Sequence, residues 1–266
     1  MYRSWRSNRF GGCNPSNTGK AVRAAAALVV FLLAGSFQAS EATAQWRFET
    51  TPFLWASGQH GHIEFQNFRS ELHIGLGNLL SEVDGALMLP VEGRNGRWGF
   101  GFEIVYFDIS DQEADVAGFE TVDYQADHQL IELAPRFTLF HPGPVAIDIL
   151  AGGRYMRVDN IITMGGDTLQ AVTLRLRDRW IEPLAGVRAR AGVKRWTFVA
   201  HGDIGGFGVG SDITWQALGY AGYRFGPRLT LRAGYRYFDV DFDDDDDEFR
   251  FDVAMRGPMI GASFSF

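Results

Sequence analysis

His201 and Asp203 are the residues of this sequence best arranged for catalysis. Two positions apart on an extended strand, they project from one face with Cβ atoms ~7 Å apart, close enough to share a hydrogen bond. An acid beside a histidine is the equipment of general acid–base hydrolysis. No nucleophile is fixed beside the pair, and Ser211 lies in the neighbouring loop. Charge clusters of this kind are often structural, so catalysis is the minority reading.

The pair belongs to a larger set. Residues of alternating strands place the acids Glu103, Glu132, Asp148, Glu182, Asp203 and Asp252 on one inferred inner face. The same face takes Arg136, Arg154, Arg188, Arg190, Arg224, Arg232, Arg236, Arg250 and Arg256. Charges withdrawn from bulk water persist only when paired or hydrated. A salt-bridge network filling a narrow tube is the expected outcome. The alternative is a small arginine-lined passage that favours anions.

Other candidates are weaker. His60, His62 and His73 fall with Glu64 and Glu71 in one stretch, but no closed metal-ligand set follows from their spacing. Asp243, Asp244, Asp245, Asp246, Asp247 and Glu248 are six consecutive acids, preceded by Asp239 and Asp241. Repulsion keeps such a run in solvent, and its oxygens suit loose binding of Ca²⁺ or Mg²⁺. The Asp/Asn–Gly spacing of an EF-hand is missing, so no firm metal site is expected. No phosphate loop, dinucleotide fingerprint, haem motif or zinc spacing occurs, and no cofactor is expected.

The elements that carry these residues alternate with period two. Trp98, Phe100, Phe102, Ile104 and Tyr106 interleave with Gly99, Gly101 and Glu103. Leu229, Leu231, Ala233, Tyr235 and Tyr237 interleave with Thr230, Arg232, Gly234 and Arg236. One face is large and apolar, the other small or charged. Ten strands are expected, at about 46–56, 83–92, 97–109, 124–140, 145–157, 178–193, 195–206, 212–225, 228–239 and 248–266. Eight or twelve remain open, because Pro52 interrupts the first strand and 83–92 has mixed faces. Residues 62–82 have room for an extra hairpin, and Gly77–Val83 for a short helix.

Short turns at Gly93–Arg97, His141–Pro144, Gly192–Arg195 and Phe225–Arg228 alternate with longer polar stretches. That asymmetry, with the arginines inside and the apolar face outside, is the pattern of a transmembrane β-barrel. Trp46, Trp98, Phe137, Trp196 and Phe225 are placed at one membrane interface. Trp55, Tyr106, Tyr155, Trp180, Trp215 and Tyr237 are placed at the other. Phe249, Phe251, Val253 and Met255 are odd-numbered, whereas Ile260, Ala262, Phe264 and Phe266 are even-numbered. A β-bulge at Gly257–Pro258 would absorb the slip.

The chain has 266 residues, of which 37 are aromatic and one is cysteine. Such a composition excludes disorder and a disulfide scaffold. Residues 1–44 read as a cleaved secretory signal peptide, with Arg3, Arg6, Arg9, Lys20 and Arg23, the apolar run Ala24–Ala34, and Ala42-Thr43-Ala44. Cleavage is placed after Ala44, with Ala39 and Ala42 as alternatives. The 11-residue run is too short to span ~30 Å of hydrocarbon as a helix. Removing the leader's net +4 from the chain's −7 leaves −11 over residues 45–266. Lys194 is then the one remaining lysine, so nucleic acid is excluded as a partner.

The opening Thr51-Pro52-Phe53-Leu54-Trp55-Ala56-Ser57-Gly58, the glycine-rich segment Gly202–Asp212, Gly234-Tyr235-Arg236-Tyr237 and the terminal Phe264 and Phe266 resemble an uncharacterised family of proteobacterial outer-membrane β-barrel proteins. These are small porin-like barrels of the OmpW or OmpA kind, and the resemblance spans residues 45–266. It implies an all-β fold, one antiparallel barrel and the bacterial outer membrane as location. It further implies outer-membrane lipid, lipopolysaccharide and the barrel-assembly machinery as partners, with Phe264 and Phe266 as the assembly signal. No ligand or catalytic residue is carried over from it. The leading functional expectation is a structural or narrow small-solute passage role. The rivals are a hydrolase using His201 and Asp203 and a soluble periplasmic ligand-binding barrel.

Overall fold

The computed structural model describes residues 46–65, 68–74, 87–113, 121–166, 169–244 and 249–266. The expected signal peptide at 1–44, the expected short helix at Gly77–Val83 and residues 245–248 of the acidic run lie outside them. Every regular element among the described residues is a β-strand. They are β1 (Arg47–Thr50), β2 (Phe53–Trp55), β3 (Gly58–Phe65), β4 (Phe68–Ile74), β5 (Leu87–Asn95), β6 (Trp98–Glu113) and β7 (Thr121–Phe140). Then follow β8 (Val145–Gly166), β9 (Leu169–Val193), β10 (Trp196–Val209), β11 (Ser211–Arg224), β12 (Leu229–Asp244) and β13 (Phe249–Ser265).

Consecutive strands from β5 to β13 pair antiparallel with their chain neighbours. The sheet closes through β1 and β2, which together form one stave broken at Thr51-Pro52. On one side β1 pairs β5 (Thr50↔Val91), and on the other β13 (Glu49↔Ser265, Thr50↔Phe264). The result is the expected closed ten-strand antiparallel barrel. Two strands are additional. The chain runs on from β2 into β3, which continues along β13 from Gly58↔Arg256 to Phe65↔Phe249, and β4 turns back upon it. This hairpin begins earlier than the sequence suggests.

A transmembrane strand needs ~9–11 residues, yet β9 has 25 and β8 has 22. The barrel wall therefore continues well past any bilayer, on the side away from the short turns. Where it does so, the apolar face changes side. Along β12, Leu229, Leu231 and Tyr235 are exposed while Arg232 and Arg236 are buried; a few residues on, Phe238, Val240 and Phe242 are buried instead. β13 behaves alike. Ile260, Phe264 and Phe266 point out, whereas Phe251, Val253 and Met255 point in.

This inversion corrects the bulge expected at Gly257–Pro258. The register Gly234↔Met259, Tyr235↔Pro258, Arg236↔Gly257, Tyr237↔Arg256 is unbroken. Nothing is inserted in the strand; the outward face changes from apolar to polar while the inward face changes from polar to apolar. Gly257 is required for another reason. A Cβ there would sit 1.7 Å from the carbonyl oxygen of Ala56, where the interrupted first stave presses against β13. The same inversion moves two aromatics. Trp55 and Trp180, expected at the membrane interface, are buried inside the barrel.

The inward residues beyond the inversion form one apolar core: Trp55, Met88, Val105, Phe107, Leu130, Met156, Trp180, Phe238, Val240, Phe251 and Val253 are among its members. Trp180 stacks on Phe242 at 4.2 Å, and Trp55 meets Phe107 edge-on at 5.2 Å. Aromatic contacts of this geometry add to the area they bury. One hairpin stays low. Between β10 and β11, Gly206, Phe207, Gly208 and Gly210 all have φ between +56° and +85°, a conformation that favours glycine. The compact turn that results tucks Gly210 against the Ile181 carbonyl.

Outward of the apolar core, carboxylates crowd. Burial holds Asp239 above its ordinary pKa, with Asp252 and Asp241 adding to the shift, despite a hydrogen bond from the Tyr237 hydroxyl at 3.0 Å. A carboxyl that is harder to ionise in the fold costs stability as pH rises from the unfolded-state value through the folded one. Asp239→Asn is therefore expected to raise the urea-unfolding midpoint in micelles at pH 7.5. The gain should vanish near pH 3, where both side chains are neutral.

Candidate functional site

Inside the membrane-level part of the barrel, charged side chains stack in layers. Arg154 of β8 is the centre of the upper layer and is wholly buried. Its Nε donates to Glu132 at 2.7 Å, Nη1 to Glu182 at 3.0 Å and to Thr214 at 2.7 Å, and Nη2 to Asp203 at 2.6 Å. Charge-assisted bonds of this kind are roughly twice as strong as neutral ones. Glu182 also accepts from the Trp180 indole and the Ser211 and Thr214 hydroxyls. Arg236 of β12 reaches Glu103 at 3.0 Å and lies over the Trp55 ring at 5.1 Å. Room for this packing comes from small inward residues; a Cβ at Gly186 would lie 2.5 Å from that of Asp203.

The layer below is built on Glu92 of β5, which accepts from Arg188 at 2.7 Å and faces Arg136 at 3.3 Å. Arg188 and Arg232 converge on the Tyr220 hydroxyl at 2.9 and 3.2 Å, and Arg232 continues to Glu49 of β1. Asp148 forms the lowest layer, held by Arg94 at 2.8 Å and Thr138 at 2.7 Å with Arg190 at 3.4 Å. Many of these pairs join strands that are not neighbours, so the layers tie opposite walls across the lumen.

His201 and Asp203 do meet, at 2.6 Å between Nε2 and Oδ2. Asp203 is already engaged by Arg154 and by the Gln216 amide at 2.6 Å. Ser211 donates to Glu182. Among the described residues no hydroxyl is hydrogen-bonded to His201. A cavity of about 70 Å³ adjoins His201, Glu132, Arg188 and Tyr220, enough for a few water molecules.

The structure brings Glu103, Glu132, Arg136, Asp148, Arg154, Glu182, Arg188, Arg190, Asp203, Arg232 and Arg236 together inside. It does not do so for four residues assigned to the inner face. Asp252, Arg250 and Arg256 lie beyond the inversion and point outward, Arg250 toward Asp241 at 3.6 Å and Asp252 toward His62 at 3.8 Å. Arg224 is exposed at the short-turn end. Glu92, Glu49, Arg94, Gln216 and Tyr220 were missed. Glu92 and Arg94 share even spacing with Met88 and Pro90 on a short strand, Glu49 stands on the interrupted first stave, and Gln216 and Tyr220 carry no formal charge to mark them. His62 lies 3.6 Å from Glu64, and among the described residues no three metal-ligating side chains converge.

A closed antiparallel barrel with a charged interior, an outward apolar belt and short turns at one end has the fold of bacterial outer-membrane barrels. The solved structure of the outer-membrane protease OmpT from Escherichia coli superposes with a TM-score of 0.54 at 10% identity, covering 87% of this chain and 100% of that one. The translocator domain of the autotransporter NalP from Neisseria meningitidis is also similar, with a TM-score of 0.43 at 9% identity, covering 94% and 98%. A major outer membrane protein from Thermus thermophilus gives 0.38 at 14%, covering 83% and 99%. No protein-family model and no curated protein sequence matches the chain. The likeness is one of fold.

Removing one partner from a buried ionic cluster costs about 3–5 kcal/mol, because the other charges stay buried and uncompensated. Arg154→Met, which strands Glu132, Glu182 and Asp203, should destabilise the folded barrel by about that amount, read by urea titration in micelles. His201→Ala should cost far less and should abolish no turnover of phospholipid, lipopolysaccharide or peptide. Hydrolysis that disappears in His201→Ala or Asp203→Asn would reverse the ranking of network over catalysis.

Proposed function

We propose that this chain is an integral protein of the bacterial outer membrane whose barrel is sealed, acting as a structural scaffold rather than as an enzyme or an open pore. The observation that carries this reading is the apolar core stacked on the charged layers. Phe238, Trp180, Met88 and Phe251 fill the interior where a channel would have to emerge. Barrels of about eight strands are filled by their own side chains, and aqueous channels open at roughly sixteen. A soluble ligand-binding barrel fits poorly. Trp98, Leu133, Phe140, Ile181, Val187, Phe198 and Ile260 form an exposed apolar belt that only lipid would cover.

The belt supports lipid as the surrounding medium. Beyond it the outward faces are charged, with Arg157, Arg177 and Arg179 on β8 and β9 and Asp239, Asp241 and Asp252 on β12 and β13. Such groups stand at headgroup level, where lipopolysaccharide phosphates and bridging Ca²⁺ or Mg²⁺ would reach them. Planar-bilayer recording tests the sealed reading. Little or no steady conductance is expected, with weak anion preference in any residual current. Large, cation-selective openings would overturn it.

Phe266 supports a role for the assembly machinery. Its amide and carbonyl exchange bonds of 3.0 Å with Phe48, the last link between the two ends of the sheet. Deleting Phe266 is expected to lower membrane-inserted protein in cells much more than refolding yield in detergent. Equal losses would assign the residue to the seam alone.

A further inference from the structure

The layers are unevenly charged, and the imbalance gathers at the mouth between the short turns. There the lumen opens into a vestibule of about 930 Å³. Arg47, Arg94, Arg136 and Arg190 line it from four different staves. The carboxylates nearby are already committed: Asp148 to Arg94 and Arg190, and Glu92 to Arg188 and Arg136. Glu49 is held by Arg232. Arg47 has no carboxylate within ion-pair distance among the described residues, and it sits directly opposite Arg94 in the β1–β5 register. Like charges facing each other across a strand pair are destabilising. The Nε of Arg136 is buried and makes no hydrogen bond among the described residues, and the Nε of Arg190 is held only by the long 3.4 Å contact to Asp148. The four short turns around the rim hold Arg97, His141, Lys194, Arg195 and Arg228 and no acid. This concentration of cations occurs in a chain whose overall formal charge is negative.

Arg47 has no carboxylate among the described residues, and Arg94, Arg136 and Arg190 share Asp148 and Glu92 with one another and with Arg188. The positive charge left over on an open cavity is what a bound anion satisfies. Guanidinium forks match phosphate oxygens geometrically. A single small anion would reach one or two arginines, whereas groups spread over four staves call for a ligand with two or more negative charges. We propose that the vestibule is a binding site for a phosphate-bearing polyanion, open to the side on which the short turns lie. With the barrel inserted as proposed above, that side is the periplasm. The phosphate comes either from a soluble molecule or from the headgroup of an anionic phospholipid of the inner leaflet. Both present the same chemistry to these arginines.

Pyrophosphate is the probe. Titrated calorimetrically into the full-length mature barrel in neutral-detergent micelles at constant ionic strength, it should bind saturably at one site and more tightly than inorganic phosphate. Arg47→Gln touches none of the internal ion pairs, so the barrel should fold as before. A charge-assisted hydrogen bond is worth ≈ 1.5–3 kcal/mol, so this substitution should weaken pyrophosphate about tenfold or more. Arg256→Gln, on the outer face beyond the inversion and far from the mouth, should leave the affinity unchanged. The titration is then repeated in nanodiscs of phosphatidylcholine with or without phosphatidylglycerol. Suppression of pyrophosphate binding by phosphatidylglycerol supports the site and assigns it to a lipid headgroup. Unaltered binding supports the site and assigns it to a soluble ligand. Absence of saturable binding in micelles and nanodiscs alike, or equal affinity for Arg47→Gln and the parent protein, overturns the proposal. A sealed barrel by conductance with no pyrophosphate binding would refute this site and leave the scaffold reading standing.

Discussion

A guanidinium with no exposed surface, at the middle of a tube of lipid-facing strands, is the condition around which this barrel is organised. Arg154 is acceptable there only because its nitrogens end on Glu132, Glu182, Asp203 and Thr214. Those oxygens come from β7, β9, β10 and β11, so satisfying one side chain fixes the relative height of five strands. A slip of one residue in any of them would turn a carboxylate into the lipid and an apolar side chain toward Arg154. The ionic cluster thus sets register more than it supplies net stability, since apolar replacement of whole buried clusters is often neutral or favourable.

The second organising fact is that these strands cross from one solvent to another without changing their hydrogen bonding. At membrane level the outside is hydrocarbon and polar groups turn inward. Further along, the outside is water, and the apolar groups turn inward instead. β12 shows the change within three residues, from Tyr235 outside to Phe238 inside. The inner apolar core and the inner charged layers are two consequences of one rule applied in two media. The Trp180 indole, packed on Phe242 and bonded to Glu182, joins the two regions.

Period-two alternation makes most of the staves legible in the sequence, because β6 and β9 to β12 keep one uniformly large face over the half of each strand nearer the short turns. The ten-strand count followed from them. What alternation does not encode is which medium lies outside. The odd-to-even change between Met255 and Ile260 therefore reads as a bulge, and keeping the apolar face outward on both sides of it assigns Asp252, Arg250 and Arg256 to the lumen. The charged interior was legible in part for a related reason. Arg154, Glu182 and Arg188 stand on long regular strands, whereas Glu92 and Glu49 sit on the short, interrupted first and second staves. His201 and Asp203 were visible as neighbours. That Arg154 and Gln216 already occupy the aspartate depends on strands distant in sequence.

The stave made of β1 and β2 has a consequence for how the closed cylinder breathes. Several neighbouring strands are zipped by long uninterrupted ladders, such as that from Val145↔Ala191 to Met164↔Val172. Here the regular pairing breaks at Thr51-Pro52, bridged only by single bonds from the Thr51 amide to the Pro90 carbonyl at 3.0 Å and from the Ala262 amide to the Pro52 carbonyl at 3.2 Å, and the proline has no amide hydrogen to offer. Across this line the wall is fastened from within, by the Thr51–Ser263 hydroxyl pair and by Arg232 reaching Glu49. Amide protons along this line should be the first in the cylinder to exchange with solvent, and the stave the last to seat when the sheet curls shut. The side chains of the lumen then act as a clasp on a join that the backbone alone leaves half stitched.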